Sequence, residues 1–288
     1  MRSIQDRRQR RRLRHARVIP GFGLTLGVTL SMLSILVLIP LCSVLARALR
    51  LGPAEFFRVI SRPNVLRAFG ASFLCSFAAA AVNAVFGLLI AWVLVRYDFP
   101  GKRIMDGLIE LPFALPTAVA GITLSRMYST RGVMGAFLAK LGLKVSYTRL
   151  GLTIALVFVG IPFVVRAVQP VLAGLDRQYE EAAHMLGASR RRTFFRVVLP
   201  ELTPAMLTGF TLALARGIGE YGSVIYISGN SARNGTQVVS YVIMQKLNAG
   251  NADYEGAAAI ALALLAISFL LLFCINLIQH RALRRTGA

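Results

Sequence analysis

Charged side chains set inside long apolar runs are the residues of this sequence most able to do chemistry. Arg216 and Glu220 lead them: four positions apart, they share one face of a helix. A lone charge in hydrocarbon costs about 2.5–3.5 kcal/mol on insertion scales, so the pair must face protein or a water-filled path. It reads either as a structural ion pair or as part of an anion path or gate using Arg216. Pro112 and Pro116 free carbonyls one turn back and bend the helix that carries them, as kinked packing or as a moving hinge. A third group, Glu180, Glu181, Ala182, Ala183 and Gly187, sits in a more polar stretch and suits a contact surface rather than a reaction.

No enzymatic centre emerges. The Gly101-Lys102 pair lacks the upstream glycine and the following Ser or Thr of a Walker A loop, and neither a His-Glu-x-x-His nor a Gly-x-Ser-x-Gly pattern occurs. Cys42, Cys75 and Cys274 lie in apolar runs, and His15, His184 and His280 are scattered, which gives no disulfide framework and no metal spacing. No cofactor is expected on this chain. A protein of this kind that moves a solute uphill must draw on an ion gradient or on a partner.

The elements that carry these residues follow from composition. Of 288 residues, 56% are hydrophobic and only 16% charged, against roughly 45–50% and about 25% in soluble domains. This is an integral membrane composition. A span needs about 20 apolar residues, and six are expected: 18–46, 68–95, 104–125, 150–172, 202–227 and 256–279. The third begins with Asp106 and Glu110 at the membrane surface, where Lys102 and Arg103 lie one turn back. The fourth runs past a snorkelling Arg166. The fifth crosses only by continuing through Arg216 and Glu220. The first exceeds a signal-peptide core and reads as a retained span. Small residues, including Gly23-x-x-x-Gly27, Ala78–Ala81 and Ala257–Ala259, suit close helix packing, and Trp92 and Tyr97 read as interface anchors.

The net charge of +21 would point to nucleic acid in a soluble protein. Here the basic residues lie between spans, where they orient the chain and meet anionic lipid headgroups, so nucleic acid is excluded. With the N-terminus inside, inner segments hold 20 of the 33 Lys and Arg. Both termini, 1–17 and 281–288, are therefore expected in the cytoplasm, flanking a single membrane domain over 18–280.

The segment 174–200 predicts a helix–turn–helix on the cytoplasmic surface. Asp176 caps a first helix whose positive end carries Glu180 and Glu181. Gly187 ends it in the left-handed conformation, and Ser189 caps a second helix rich in arginine. Pro200 and Pro204 mark the start of the fifth span. The first helix suits a partner's groove, and the arginines suit anionic lipid; composition alone leaves both open.

Glu181-Ala182-Ala183, three residues, Gly187, nine residues, Val197, one residue, Leu199-Pro200 resembles the EAA signature of ABC-importer membrane subunits, with Val197 in place of Ile. Ala215-Arg216-x-x-Gly219-Glu220-Tyr221-Gly222, with Ile227-Ser228-Gly229-Asn230, is similar to a segment shared by importers of tetrahedral oxyanions. Leu111–Gly121 and Asp253–Ala257 resemble the sulfate/thiosulfate branch, and within it the T-type permease. Ser231–Gln237 lacks the early proline and acidic residue usual there.

The resemblance implies an all-α polytopic bundle of the Type I ABC importer class and ATP-driven uptake of sulfate or thiosulfate across the cytoplasmic membrane. It implies a cytoplasmic ATPase dimer holding ATP and Mg, a second permease of the W type, and an external anion-binding protein. Glu181 would be the docking carboxylate, with Ala182, Ala183 and Gly187 giving close approach and the turn, and Leu199 and Pro200 completing the motif. Thr236–Leu247 is a candidate receptor-contact helix. The rivals are a molybdate/tungstate permease and a gradient-driven secondary transporter, the latter disfavoured by the lack of an internal repeat.

Overall fold

Apolar runs without water must close their peptide hydrogen bonds internally, and a helix does so within one segment. The computed structural model describes residues 22–286, and every regular element among them is helical. α1 (Phe22–Arg50) and α2 (Gly52–Ile60) lead into α3 (Pro63–Arg96). α4 (Lys102–Ala114), α5 (Thr117–Tyr128), α6 (Val133–Lys140) and α7 (Arg149–Gly174) follow. Then come α8 (Gln178–Met185), α9 (Arg190–Ile218), α10 (Gly222–Ser228), α11 (Val239–Leu247) and α12 (Tyr254–Thr286). Among the described residues five helices, α1, α3, α7, α9 and α12, are long and apolar enough to cross a membrane. The α4–α5 pair makes a sixth if the bent pair is one span. The basic cluster Arg7–Arg14, the first residues of the expected span 18–46, and residues 287–288 lie outside the described residues.

Three long helices form the centre. α3 buries a stripe of small residues three and four positions apart, with Ala68 and Ser72 toward α11 and α12, and Cys75, Ser76, Ala79, Ala80, Asn83 and Gly87 toward α7 and α9. Where helices lie in an apolar medium, close backbone approach replaces the hydrophobic drive. A Cβ on Gly209 would stand 2.6 Å from Val164 Cα, and one on Gly87 2.7 Å from Val164 Cγ1. Gly160 lies directly against the Asn83 amide. Val164, Val165, Val168, Leu172, Leu202 and Leu214 fill the remaining space and are fully buried. The Gly23-x-x-x-Gly27 pattern does no such work. Both glycines are exposed, no neighbouring helix among the described residues comes within 4 Å of a Cβ on Gly27, and α1 meets α12 chiefly along its second half.

Four expectations from sequence are corrected. The third span, expected as one helix bent at its prolines, is two helices: α4 and α5 meet at 111°, because Pro116 caps α5 while Leu115 and Pro116 leave the helical conformation. The fifth span is not 202–227. It starts at Arg190, ends at Ile218, and breaks over Gly219–Tyr221 before α10. Pro200 and Pro204 consequently lie within α9 instead of opening it. A proline ring clashes with the carbonyl four residues back, here Arg196, and the helix widens into a π turn over Phe194–Val198 to take it. α1 repeats this device, with a π turn over Ser34–Leu38 preceding Pro40. Finally, Asp106 and Glu110 do not turn back to Lys102 and Arg103. They reach across to Arg166 on α7, at 2.8 and 2.7 Å, with Gln169 bonded to both Arg166 and Asp106. Lys102 instead pairs with Asp98, whose carboxyl it holds below the usual carboxylate range.

Candidate functional site

The segment between α7 and α9 is built from local signals. The Gln178 amide donates to Asp176 Oδ1 at 3.0 Å, which steers the chain into α8. Gly187 ends that helix with φ of 78°, a value a side chain would strain, while the Ala188 amide closes back on the Ala183 carbonyl at 2.9 Å. Ser189 then caps α9, accepting from the Arg192 amide. The result is a short helix projecting from the bundle, with none of its residues buried.

Its two faces differ. Ala182, Met185 and Leu186 point away from the bundle, with Met185 89% and Leu186 90% exposed, and Glu181 is exposed at the rim of the cleft below. Tyr179 extends the same apolar surface. The other face carries Glu180, which bonds Arg96 at 2.6 Å on the last turn of α3. Trp92, Arg96, Tyr97, Arg177, Glu180, Glu181 and His184 line the cleft beneath α8. Leu199 and Pro200 are not brought to this surface. They sit half-buried in α9, where Leu199 packs against the core beside Val198 and Leu202.

At the opposite end of the bundle the structure joins Arg216 and Glu220 across the α9–α10 break. The Glu220 side chain is 1% exposed. It accepts from Arg216 Nη1 through one carboxylate oxygen, and through the other from the Ser223 amide at 2.9 Å and the Ser223 hydroxyl at 3.0 Å. Its carbonyl accepts from the Ser240 hydroxyl at 2.8 Å, which ties in α11. The break therefore closes around one carboxylate. α5 presses on the same place: Gly121 and Gly222 leave no room for a Cβ against Ser223 and Thr117 respectively. Pro116, at the start of α5, is thus near Glu220, whereas Pro112 lies buried inside α4.

Two clusters escaped the sequence reading. The first is Asp106, Glu110, Arg166 and Gln169, for which a charge in the middle of the fourth apolar run was the signal. The second is Arg96 with Trp92: the guanidinium lies 5.6 Å from the indole centroid, and Trp92 meets Phe194 edge-on at 5.3 Å. Trp92 is therefore an internal contact and not only an interface anchor. Among the described residues no group of His, Cys, Asp and Glu could hold a metal ion.

The fold is that of a helical membrane bundle with an exposed short helix at one end. The chain belongs to the family described as binding-protein-dependent transport system inner membrane component, whose profile matches residues 83–286. It is a multi-pass inner-membrane protein. It is 48% identical over 269 residues to the sulfate transport system permease protein CysT of Escherichia coli (strain K12), covering 93% of this chain and 96% of that protein. It is 41% identical over 253 residues to the sulfate transport system permease protein CysT of Synechocystis sp., covering 88% and 87%. Among solved structures it resembles a bacterial ABC transporter involved in the import of the acidic polysaccharide alginate, with a TM-score of 0.74 at 15% identity over 90% of this chain and 95% of that one. The methionine transporter MetNI in an inward-facing form gives 0.56 at 16% identity over 75% and 95%. At those identities the likeness is one of fold.

Proposed function

We propose that this chain is the permease subunit of an ATP-driven importer of sulfate or thiosulfate, with ATP hydrolysis in a separate subunit. The observation that carries the proposal is the 48% identity to a sulfate permease along nearly the whole length of both chains. The projecting α8 agrees with it. The names of the relatives favour sulfate over molybdate or tungstate, and membership of a binding-protein-dependent family disfavours a gradient-driven carrier.

In this reading α8 enters a groove of the cytoplasmic ATPase dimer. Tyr179, Met185 and Leu186 supply apolar area, Glu181 a carboxylate, Ala182 and Ala183 close approach, and Gly187 the turn. Leu199 and Pro200 act from within the bundle by fixing the direction in which α9 leaves the loop. Both termini then lie in the cytoplasm, and α11 faces the external binding protein. The second permease is a W-type chain. The exposed surface of α1 lies against lipid or that partner. Substrate passes between the two permeases, with Arg216 and Glu220 at the outer gate and the bends at Pro112 and Pro116 letting α4 and α5 move.

Affinity purification of the subunit from its own membranes tests this. An ATPase and a second, different permease should co-purify, and the complex should take up radiolabelled sulfate on addition of ATP. Recovery of the subunit without any ATPase, under conditions that preserve a known importer, would overturn it. Glu181→Arg should insert normally and abolish uptake; normal uptake at normal expression would refute the role of Glu181.

A further inference from the structure

α8 carries no buried residue of its own, so its hold on the bundle rests on few contacts. Besides the chain connections to α7 and α9, the ion pair Glu180–Arg96 ties it to α3 at 2.6 Å, and this pair is largely shielded, with side chains 26% and 11% exposed. Arg96 is itself held on the indole face of Trp92, one turn earlier on α3. Trp92 in turn packs edge-on against Phe194, the first residue of the π turn in α9. The two limbs of the projecting loop therefore converge on one turn of α3. A guanidinium at a helix C-terminus is favourable without any partner, so helix capping alone does not account for Glu180 beneath α8.

α3 is a single helix from Pro63 to Arg96, without an internal proline. At its far end the Ser72 hydroxyl accepts the Val239 amide at 3.0 Å, the first residue of α11. From Ser72 to Arg96 the helix extends about 36 Å. One rigid element is thus clamped at one end to α8 and at the other to the surface helix α11.

We infer that Arg96 is a positioning residue for transport: it forms, with Glu180 and Trp92, the joint through which displacement of α8 enters the bundle along α3. This rests on the reading of α8 as the ATPase-docking helix. Only Glu180 bonds Arg96; Glu181 lines the same cleft with its side chain exposed, and Met185 and Leu186 carry the outward apolar surface.

The test uses the complete reconstituted complex with ATP and radiolabelled sulfate. It compares Arg96→Ala, Glu180→Ala and the double variant, and measures uptake and ATP hydrolysis in the same vesicles. Each single variant should keep its ATPase bound and hydrolysing while sulfate moved per ATP falls about tenfold, within the usual range of coupling between sites. The double variant should fall no further than either single one, because the two residues act as a unit. Glu180 lies on a projecting helix, so Glu180→Ala keeps the test valid should Arg96→Ala fail to fold. Unchanged transport per ATP in Glu180→Ala overturns the joint, as does an equal loss of uptake and hydrolysis. If the unmodified chain carries no ATPase at all, the docking reading fails instead.

Discussion

Replacing Glu220 should loosen the molecule at the α9–α10 break by an amount set by its three partners. The carboxylate is 1% exposed and accepts from Arg216, the Ser223 amide and the Ser223 hydroxyl. Hydrogen bonds to a charged group contribute about 1.5–3 kcal/mol each, but removing one partner of a buried pair costs about 3–5 kcal/mol in all. The Arg216 side chain is 37% exposed and recovers water when released, which argues for the lower end, about 3 kcal/mol. In Glu220→Ala the thermal midpoint of the purified complex should fall by roughly 6–12 °C, at about 2–4 °C per kcal/mol. Glu220→Gln keeps an oxygen acceptor for Ser223 and loses both the charge pairing and the hydrogen bond with Arg216, so its loss should be about 1.5 kcal/mol, roughly 3–6 °C. Arg216→Gln should then cost less in the Glu220→Gln background than alone, by at least about 0.5 kcal/mol. A Glu220→Ala midpoint within about 2 °C of the parent, or strict additivity of the two Gln variants, would refute the claim that this carboxylate closes the break.

Gly209→Ala places a methyl carbon 2.6 Å from Val164 Cα, a backbone atom. α7 and α9 must separate at a cost of about 1–3 kcal/mol, which heat-induced aggregation of the purified complex should report as a lower midpoint; an unchanged midpoint would mean that the contact is not tight. At the surface, a hydrogen bond from Lys246 holds the Asp253 carboxyl below the ordinary carboxylate range, aided by the Gly256 amide. A depressed value means that the contribution of Asp253 is present above the unfolded pKa, about 3.9, and is lost as pH falls through the lower folded value. Proteolysis of the 248–253 turn should therefore be as slow at pH 5 as at pH 7 and quicken only below about pH 4; quickening already at pH 5 would sink the assignment.

Legibility from sequence followed the range of the determining forces. The segment 174–200 could be read because Asp176, Gly187 and Ser189 each act on backbone within three residues of themselves. The spans could be read because apolar length is a property of composition. The break at Gly219–Tyr221 could not, since the apolar runs before Arg216 and after Glu220 are merged by a hydropathy window and the i, i+4 spacing of the two charges suggests one continuous helix. The helix start at Ser189 was legible, but its continuity with the fifth span was not, because Pro200 and Pro204 read as a new helix start while a π turn carries the helix through them. Arg166 was seen as a snorkelling charge, and its partners on α4 depend on how two helices meet. The partner of Glu180 was hidden for a related reason: which of two adjacent carboxylates meets Arg96 is settled only when α8 folds back over the end of α3.

The position of Trp92 also has an optical consequence. It is the single tryptophan among the 288 residues, and it stands between a cation on one side and a phenyl ring on the other. An indole beside a guanidinium emits with a wavelength and yield that depend on how near that charge stays. The chain thus carries a native fluorophore where α3, α9 and the Glu180 contact meet, and vesicles holding only this subunit would give one unmixed signal from that place.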